Sequence, residues 1–162
     1  IAQQGYRVSG WSLRPRASSA GREDIEMHAG EAALSPLLAA SDIVINLLPL
    51  TPGTSGLLDA RFFAALPAGA SIANLARGAH VIDADLLNAL DRGHLAHAVL
   101  DVFRSEPLPA GHAYWSHPQV TVLPHVAAQT DPDSACHVVA ANVKALLAGL
   151  PLDHLVDGRR GY

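Results

Sequence analysis

The sequence contains a single cysteine, Cys136, and this scarcity excludes several kinds of site. One thiol forms neither an intrachain disulfide nor a cysteine-ligated metal cluster. The nine histidines are scattered without the spacing typical of metal ligands, so we expect no bound metal. Chains without disulfides are typical of reducing compartments, and the sequence therefore predicts a cytoplasmic protein.

The sequence also lacks a strong charge of either sign and a long apolar run. Its formal net charge is −4, which gives no general attraction to nucleic acid or to anionic lipid. No apolar stretch reaches the ~18–20 residues that a membrane-spanning helix needs. We therefore expect neither nucleic acid nor a membrane as a partner.

What the sequence does contain is an alternation of strand and helix patterns, with 49% hydrophobic residues. Strands are predicted at residues 6–11, 25–28, 43–48, 71–75, 98–102 and 120–123, and helices at 35–40, 59–66, 83–92 and 132–148. The first of these helices is placed at Ser35 because Pro36 fits best at a first helical position. The run 43–48 is almost continuously apolar, as expected for a parallel strand covered on both faces. The alternation predicts an α/β protein with a doubly wound parallel sheet of the Rossmann type.

The first residues predict that this fold is truncated at its N-terminus. Residues 1–4 followed by Gly5 have the pattern of the last turn of a helix. We therefore interpret residues 1–149 as a nucleotide-binding domain without its first strand and glycine-rich loop, and residues 150–162 as a C-terminal tail. The glycine fingerprint of dinucleotide-binding domains is not found, and its expected place lies before residue 1.

The segment after the first predicted strand bears on the choice of cofactor. In a Rossmann fold, an acid at this strand end binds the ribose 2′-hydroxyl of NAD, whereas arginine suits the 2′-phosphate of NADP. Here residues 12–16 read SLRPR, and no acid follows until Glu23. Arg14 and Arg16 therefore favour NADP, although a solvated basic loop explains the same residues.

Three residues at predicted strand ends form a candidate catalytic set: Arg77, Glu106 and His125. Each alone has a plainer explanation, as a surface arginine, a loop acid or a structural histidine. Together they suit the reduction of a 2-oxo acid, because an arginine binds a carboxylate and a histidine protonates the forming alkoxide. A carboxylate beside the histidine favours the charged ring. The small residues Ala76 and Gly78 are expected to let a ligand approach the backbone near Arg77.

The same segments resemble a known family, the D-isomer-specific 2-hydroxyacid dehydrogenases. The resemblance rests on residues 74–78 (NLARG), 100–108 (LDVFRSEPL) and 123–127 (LPHVA), in that order. It implies the carboxylate-binding role for Arg77, the acid role for His125 and the supporting role for Glu106. Within the family the chain is similar to the glyoxylate/hydroxypyruvate reductases, which implies NADPH-dependent reduction of a small 2-oxo acid.

The resemblance also implies a set of cofactor contacts and a partner. The residues implied to bind the cofactor are Ser12, Arg14, Leu48, Pro49, Thr54, Ala76, Arg77 and Asp101. Asp101 is expected to bind the nicotinamide carboxamide. Leu13 stands where an arginine is expected, so NAD remains possible beside NADP. The family further implies a homodimer and a second, substrate-binding domain outside these residues.

Two other interpretations stay open at this point. The fold also occurs in non-catalytic modules that sense dinucleotides or act like corepressors, and a sensor need not keep Arg77, Glu106 and His125 together. The 162 residues alone are also expected to be inactive, because half of the site's walls belong to other parts of the family fold.

Overall fold

The structure is a computed structural model that describes residues 1–15, 25–156 and 158. Arg16 of the predicted basic loop and residues 159–162 of the tail lie outside the described residues. The first residues form a short 3-10 turn, Ala2–Gln4, which Gly5 ends in a left-handed conformation with φ 87°. This confirms the predicted helical end at Gly5.

Strands and helices alternate along the chain and build parallel sheets. In order they are β1 (Ser9–Ser12), β2 (Glu26–Ala29), α1 (Glu31–Ala39), β3 (Ile43–Asn46), α2 (Ala60–Ala64), β4 (Ala70–Asn74), α3 (Asp83–Asp91), β5 (Leu95–Leu100), β6 (Val120–Val122) and α4 (Pro132–Leu147). β1 and β2 form a parallel pair, and the other strands form a second parallel sheet in the order β3-β4-β5-β6. The prediction of an α/β fold with a Rossmann-type parallel sheet is confirmed.

The hydrophobic core lies between the larger sheet and helices α2 and α3. Its fully buried side chains include Leu58, Phe63, Ile72, Leu86, Leu90, Leu95 and Leu100. Alternate residues of β4 are buried, and small alanines at β4 and β5 allow the helices to pack closely on the strands. This rigid centre holds the carboxyl ends of β4, β5 and β6 in fixed register.

Helix α1 differs from the prediction. It begins at Glu31, not at Ser35, and contains Pro36 in its interior. A proline there gives up one backbone hydrogen bond. Leu34 and Leu38 lie one turn apart and both pack on the core, so burial of this apolar face outweighs the lost bond.

Strand β3 also differs, because only part of it is covered. Ile43 and Ile45 are exposed, whereas Asn46 is buried. The apolar run therefore does not lie in a strand that is buried on both faces within the described chain. β5 begins at Leu95, three residues before its predicted start, because Gly93 ends the α3 turn and Leu95 is already fully buried.

Two predicted helix starts are confirmed by their caps. The Asp59 carboxylate accepts a hydrogen bond from Phe62 N at 2.9 Å, and the Asp131 carboxylate accepts one from Ser134 N at 3.1 Å. Each satisfies an amide that has no partner inside the helix. In the part of the chain that the structure describes, no helix combines the length and apolarity required to cross a membrane.

Candidate active site

Arg77, Glu106 and His125 follow three neighbouring strands at the same edge of the sheet. The paired residues Asn74, Leu100 and Val122 lie side by side at the ends of β4, β5 and β6. Because parallel strands place their carboxyl ends together, the loops that follow them meet there. The structure therefore brings the loops of the three predicted catalytic residues to one place.

Glu106 and His125 form a direct pair. Glu106 Oε2 lies 2.8 Å from His125 Nδ1, and the other carboxylate oxygen, Oε1, accepts a hydrogen bond from Phe103 N at 2.9 Å. The hydrogen bond from Phe103 N and the bond to His125 lower the pKa of Glu106, with a smaller contribution from the Arg77 charge. An ionised carboxylate only accepts hydrogen bonds, so Nδ1 carries the ring proton and Nε2 is free to face a ligand.

Asp101 holds the loop that carries His125. Its two carboxylate oxygens accept hydrogen bonds from Val126 N at 2.8 Å and from Ala127 N at 2.9 Å. His125 itself has φ 58°, a left-handed backbone that non-glycine residues adopt rarely. The buried Asp101 carboxylate thus fixes the two amides that follow a strained residue. Its predicted contact with the nicotinamide carboxamide remains a prediction.

Arg77 is exposed beside this pair. Its Nη1 donates a hydrogen bond to the Ala76 carbonyl at 2.7 Å, which orients the guanidinium. Every ion pair within 4.0 Å among the described residues involves a histidine and not Arg77. The other guanidinium donors can therefore bind a ligand carboxylate.

Gly78 has a different role from the one expected of it. A Cβ at this position would lie 1.8 Å from the Phe103 carbonyl carbon and 2.3 Å from Arg104 N. The absent side chain makes room for the chain's own backbone and not for a ligand, so the expectation based on Gly78 is wrong. The close approach locks the Arg77 turn against the loop that leads to Glu106.

The predicted cofactor residues of β1 and β3 lie in two adjacent loops. Ser12 Oγ donates to the Arg14 carbonyl at 2.7 Å, and the Arg14 side chain is exposed. A methyl group added at Gly53 would lie 3.6 Å from Leu13 Cδ2, so the two loops are neighbours. An exposed arginine at this strand end fits the 2′-phosphate of a dinucleotide.

Hydrogen bonds of a buried side chain, Thr54, hold the loop after β3 in shape. Thr54 is buried, and its hydroxyl donates to the Pro49 carbonyl at 2.7 Å and accepts from Thr51 N at 2.9 Å. Thr54 thus shapes the turn that begins with Leu48 and Pro49. The buried polar residues Asn46, Asn74 and His80 lie beneath the same turn. Sequence reasoning missed them, although two asparagines that end apolar strands were a usable signal.

Other parts of the described chain add no further ligand group to this site. A cavity of about 240 Å³ lies behind the Glu106 loop, and neither Arg77 nor His125 lines it. Within residues 1–15 and 25–156, no cluster of His, Cys, Asp or Glu is suited to hold a metal ion. Among the described residues, the candidate groups at this edge of the sheet are the arginine and the histidine–carboxylate pair.

Comparison with known proteins gives one consistent family. The family model described as "D-isomer specific 2-hydroxyacid dehydrogenase, NAD binding domain" matches residues 1–127. Glyoxylate/hydroxypyruvate reductase A of Yersinia enterocolitica is 44% identical over 162 residues, which cover 100% of this chain and 50% of that protein. The chain spans about half the length of the curated relatives it matches.

Two solved structures are similar to the whole chain. A D-isomer specific 2-hydroxyacid dehydrogenase from Xanthobacter autotrophicus Py2, in complex with NADPH and MES, has a TM-score of 0.93 at 44% identity and is matched over 99% of this chain and 65% of its own. An NADPH-dependent glyoxylate/hydroxypyruvate reductase from Sinorhizobium meliloti, in complex with NADP and sulfate, has a TM-score of 0.90 at 38% identity, over 99% of this chain and 51% of its own. The chain belongs to the D-isomer specific 2-hydroxyacid dehydrogenases and matches the NAD-binding domain of that family.

Proposed function

We propose that this chain is the nucleotide-binding part of a reductase that uses NADPH to convert a small 2-oxo acid, such as glyoxylate or hydroxypyruvate, into its 2-hydroxy acid. The observation that carries the proposal is the 2.8 Å pair of Glu106 and His125, with the Arg77 charge beside it. A binding module has no need for a histidine whose outer nitrogen is free to donate a proton. The pair therefore favours an enzyme over a dinucleotide sensor.

Each of the three residues has a separate role in this reaction. Arg77 binds the carboxylate of the substrate with its free guanidinium donors. His125 gives the proton on Nε2 to the carbonyl oxygen as that oxygen becomes a hydroxyl. Glu106 accepts the hydrogen bond from Nδ1 and, because its pKa is lowered, remains ionised at neutral pH to stabilise the charged ring.

The cofactor residues support NADPH in preference to NADH. When bound, NADPH supplies the hydride that reduces the carbonyl carbon. Arg14 would hold its 2′-phosphate, together with Ser12 at the end of β1, and Leu48, Pro49 and Thr54 would line the dinucleotide from the β3 loop. The two relatives in complex with NADPH and NADP support this choice. Ala76 and Arg77 would lie near the nicotinamide end.

The sheet topology supports a wider proposal about the domain. The Rossmann order of strands, 3-2-1-4-5-6, places one strand between the pair formed by β1 and β2 and the sheet that begins with β3. We propose that residues 1–149 form the nucleotide-binding domain around such a strand, and that residues 150–162 return to a substrate domain. We also propose a homodimer, which the family resemblance implies, and a cytoplasmic location, which the single cysteine favours. Size-exclusion chromatography with light scattering tests the first, and cell fractionation tests the second.

NADPH oxidation with glyoxylate, measured on the full-length protein that contains this chain, tests the proposal. His125→Asn is the informative variant, because asparagine tolerates the left-handed backbone at φ 58° and removes only the acid. We expect kcat to fall by about 10²–10⁴-fold. The control is His154→Asn, since exposed His154 has the same φ of 58° and lies outside the site. Wild-type turnover in His125→Asn, or no turnover in the unmodified protein, would contradict the proposal.

A further inference from the structure

Three polar side chains are buried where β3 and β4 end. Asn46 is 5% exposed, and Asn74 and His80 are 0% exposed. Burying polar groups is unfavourable unless they form hydrogen bonds. The three side chains lie between the Leu48–Pro49 turn and the Arg77 turn, so their hydrogen bonds bear on how these turns are held together.

The hydrogen bonds of this network define the state of the His80 ring. Asn46 Nδ2 donates to Asn74 Oδ1 at 2.9 Å and lies 3.0 Å from His80 Nδ1. Because Asn46 Nδ2 is a donor, Nδ1 accepts, and the ring proton is on Nε2. That nitrogen lies 3.4 Å from the Pro49 carbonyl, which accepts its hydrogen. Burial lowers the pKa of His80 and so favours the neutral ring that this pattern requires.

The network reaches the backbone of both functional loops. On one side, Asn74 Nδ2 donates to the Arg77 carbonyl at 3.0 Å. His80 Nδ1 lies 3.1 Å from the same oxygen, but without a proton it forms no hydrogen bond to it. On the other side, His80 meets Pro49, and Asn46 Oδ1 accepts from Leu48 N at 3.2 Å. The turn that carries the carboxylate-binding arginine and the turn proposed to line the dinucleotide therefore share one anchor.

We propose that His80 is a positioning residue that fixes the Arg77 turn relative to the Leu48–Pro49 turn, and so sets the substrate carboxylate against the cofactor. This inference rests on the proposed function. His80 is fully buried and acts through the two backbone segments. Its two ring nitrogens have different roles. Nδ1 accepts from Asn46, which bonds both Asn74 on the Arg77 side and Leu48 N on the other side, whereas Nε2 reaches only the Pro49 carbonyl.

Two substitutions of His80 each keep the hydrogen bond of one ring nitrogen and remove that of the other. In His80→Asn the amide oxygen occupies the place of Nδ1 but nothing reaches Pro49. In His80→Gln the terminal amide occupies the place of Nε2 but gives no acceptor to Asn46. One buried hydrogen bond corresponds to about tenfold in an equilibrium constant. We therefore expect His80→Asn to raise KM for NADPH about tenfold with KM for glyoxylate within about threefold, and His80→Gln, which frees Asn46 from the ring, to raise both KM values.

The experiment is steady-state kinetics on the full-length protein with these two variants, His80→Leu and a matched control. His80→Leu is expected to raise both KM values. The control is His94→Leu, because His94 Nε2 also bonds a backbone carbonyl, that of Phe63 at 2.9 Å, but at the opposite end of the sheet. Its loss should lower the urea midpoint and leave both KM values unchanged.

The outcomes distinguish this inference from the proposed function. An unmodified protein without turnover on any 2-oxo acid overturns both. Normal turnover in the unmodified protein, with His80→Asn affecting the two KM values equally or not at all, overturns the positioning role alone. If His80→Leu does not fold, the selective effect of His80→Asn on KM for NADPH still decides the question.

Discussion

Asp101 and His125 show at the scale of single residues how a strained catalytic group is held in place. A left-handed backbone at a histidine costs about 1–3 kcal/mol. The two hydrogen bonds from Val126 N and Ala127 N to the buried Asp101 carboxylate offset this cost, because charge-assisted bonds are about twice as strong as neutral ones. The strained backbone of His125 is therefore held in place by the hydrogen bonds that the next two amides make to Asp101.

Asp101→Asn should weaken this hold, because an amide offers one acceptor oxygen where the carboxylate offers two. We expect kcat to fall about tenfold or more and the free energy of unfolding to fall by about 1–3 kcal/mol, with KM for NADPH little changed. Kinetics and urea unfolding check this, with Asp91→Asn as control, since Asp91 is exposed and its one ion pair among the described residues is with His117. A rise in KM for NADPH at constant kcat would instead favour the carboxamide contact.

Because the His80 ring is buried, we expect the free energy of unfolding to depend on pH. Burial, with the nearby Arg77 charge as a smaller cause, lowers its folded-state pKa below the ordinary value of about 6.5. As the pH falls below about 6.5, the unfolded chain takes up a proton that the folded chain does not, so the free energy of unfolding decreases. His80→Gln should make this decrease shallower in urea unfolding between about pH 7 and 5. An unchanged slope would count against a neutral buried ring.

At the scale of elements, the site depends on loops that touch through backbone. Gly78 brings the Arg77 turn against residues 103–104, and this contact joins the loops after β4 and β5. The strand ends and the candidate residues could be predicted from apolar runs and polar residues that follow them. The packing of one loop on another could not, because sequence patterns report which residues are apolar and not which backbones approach each other.

Gly78→Ala should be strongly destabilising, because its Cβ would lie 1.8 Å from the Phe103 carbonyl carbon, where no flexible side chain can yield. Overpacking of this kind costs about 1–3 kcal/mol or more. Urea unfolding checks it, with Gly111→Ala as control, since nothing lies within 4 Å of a Cβ there. Equal midpoints for the two variants would show that the close contact does not exist.

The start of helix α1 is another feature that the sequence pattern did not predict. The usual position of proline in helices predicted a start at Ser35, whereas burial of Leu34 and Leu38 extends the helix from Glu31. Tertiary packing outweighs local propensity here. By contrast, the starts of α2 and α4 were predictable, because Asp59 and Asp131 form caps with their own neighbours in sequence.

At the scale of the whole molecule, the described chain presents the loops that we propose to bind the cofactor. The residues proposed to bind the 2′-phosphate lie at the end of β1, and those proposed to lie near the nicotinamide follow β4 and β5. These loops are therefore where substitutions in this chain are expected to change cofactor binding.

Arg14 should determine the preference between the two dinucleotides. Arg14→Ala is expected to raise KM for NADPH about tenfold while KM for NADH stays within about twofold, because only NADPH carries the 2′-phosphate. Arg7→Ala is the control, since Arg7 is exposed and precedes β1 at its opposite end. Equal effects on the two cofactors would show that Arg14 is a solvated loop residue.

A double-mutant cycle on kcat for NADPH-dependent glyoxylate reduction, with the full-length protein, tests most directly whether Glu106 and His125 act as one catalytic unit. We expect Glu106→Gln to lower kcat by about 10²-fold and His125→Asn by about 10²–10⁴-fold. Because Glu106 acts only through the histidine ring, the double variant should be no slower than His125→Asn alone. Losses that multiply in the double variant would contradict a single catalytic unit.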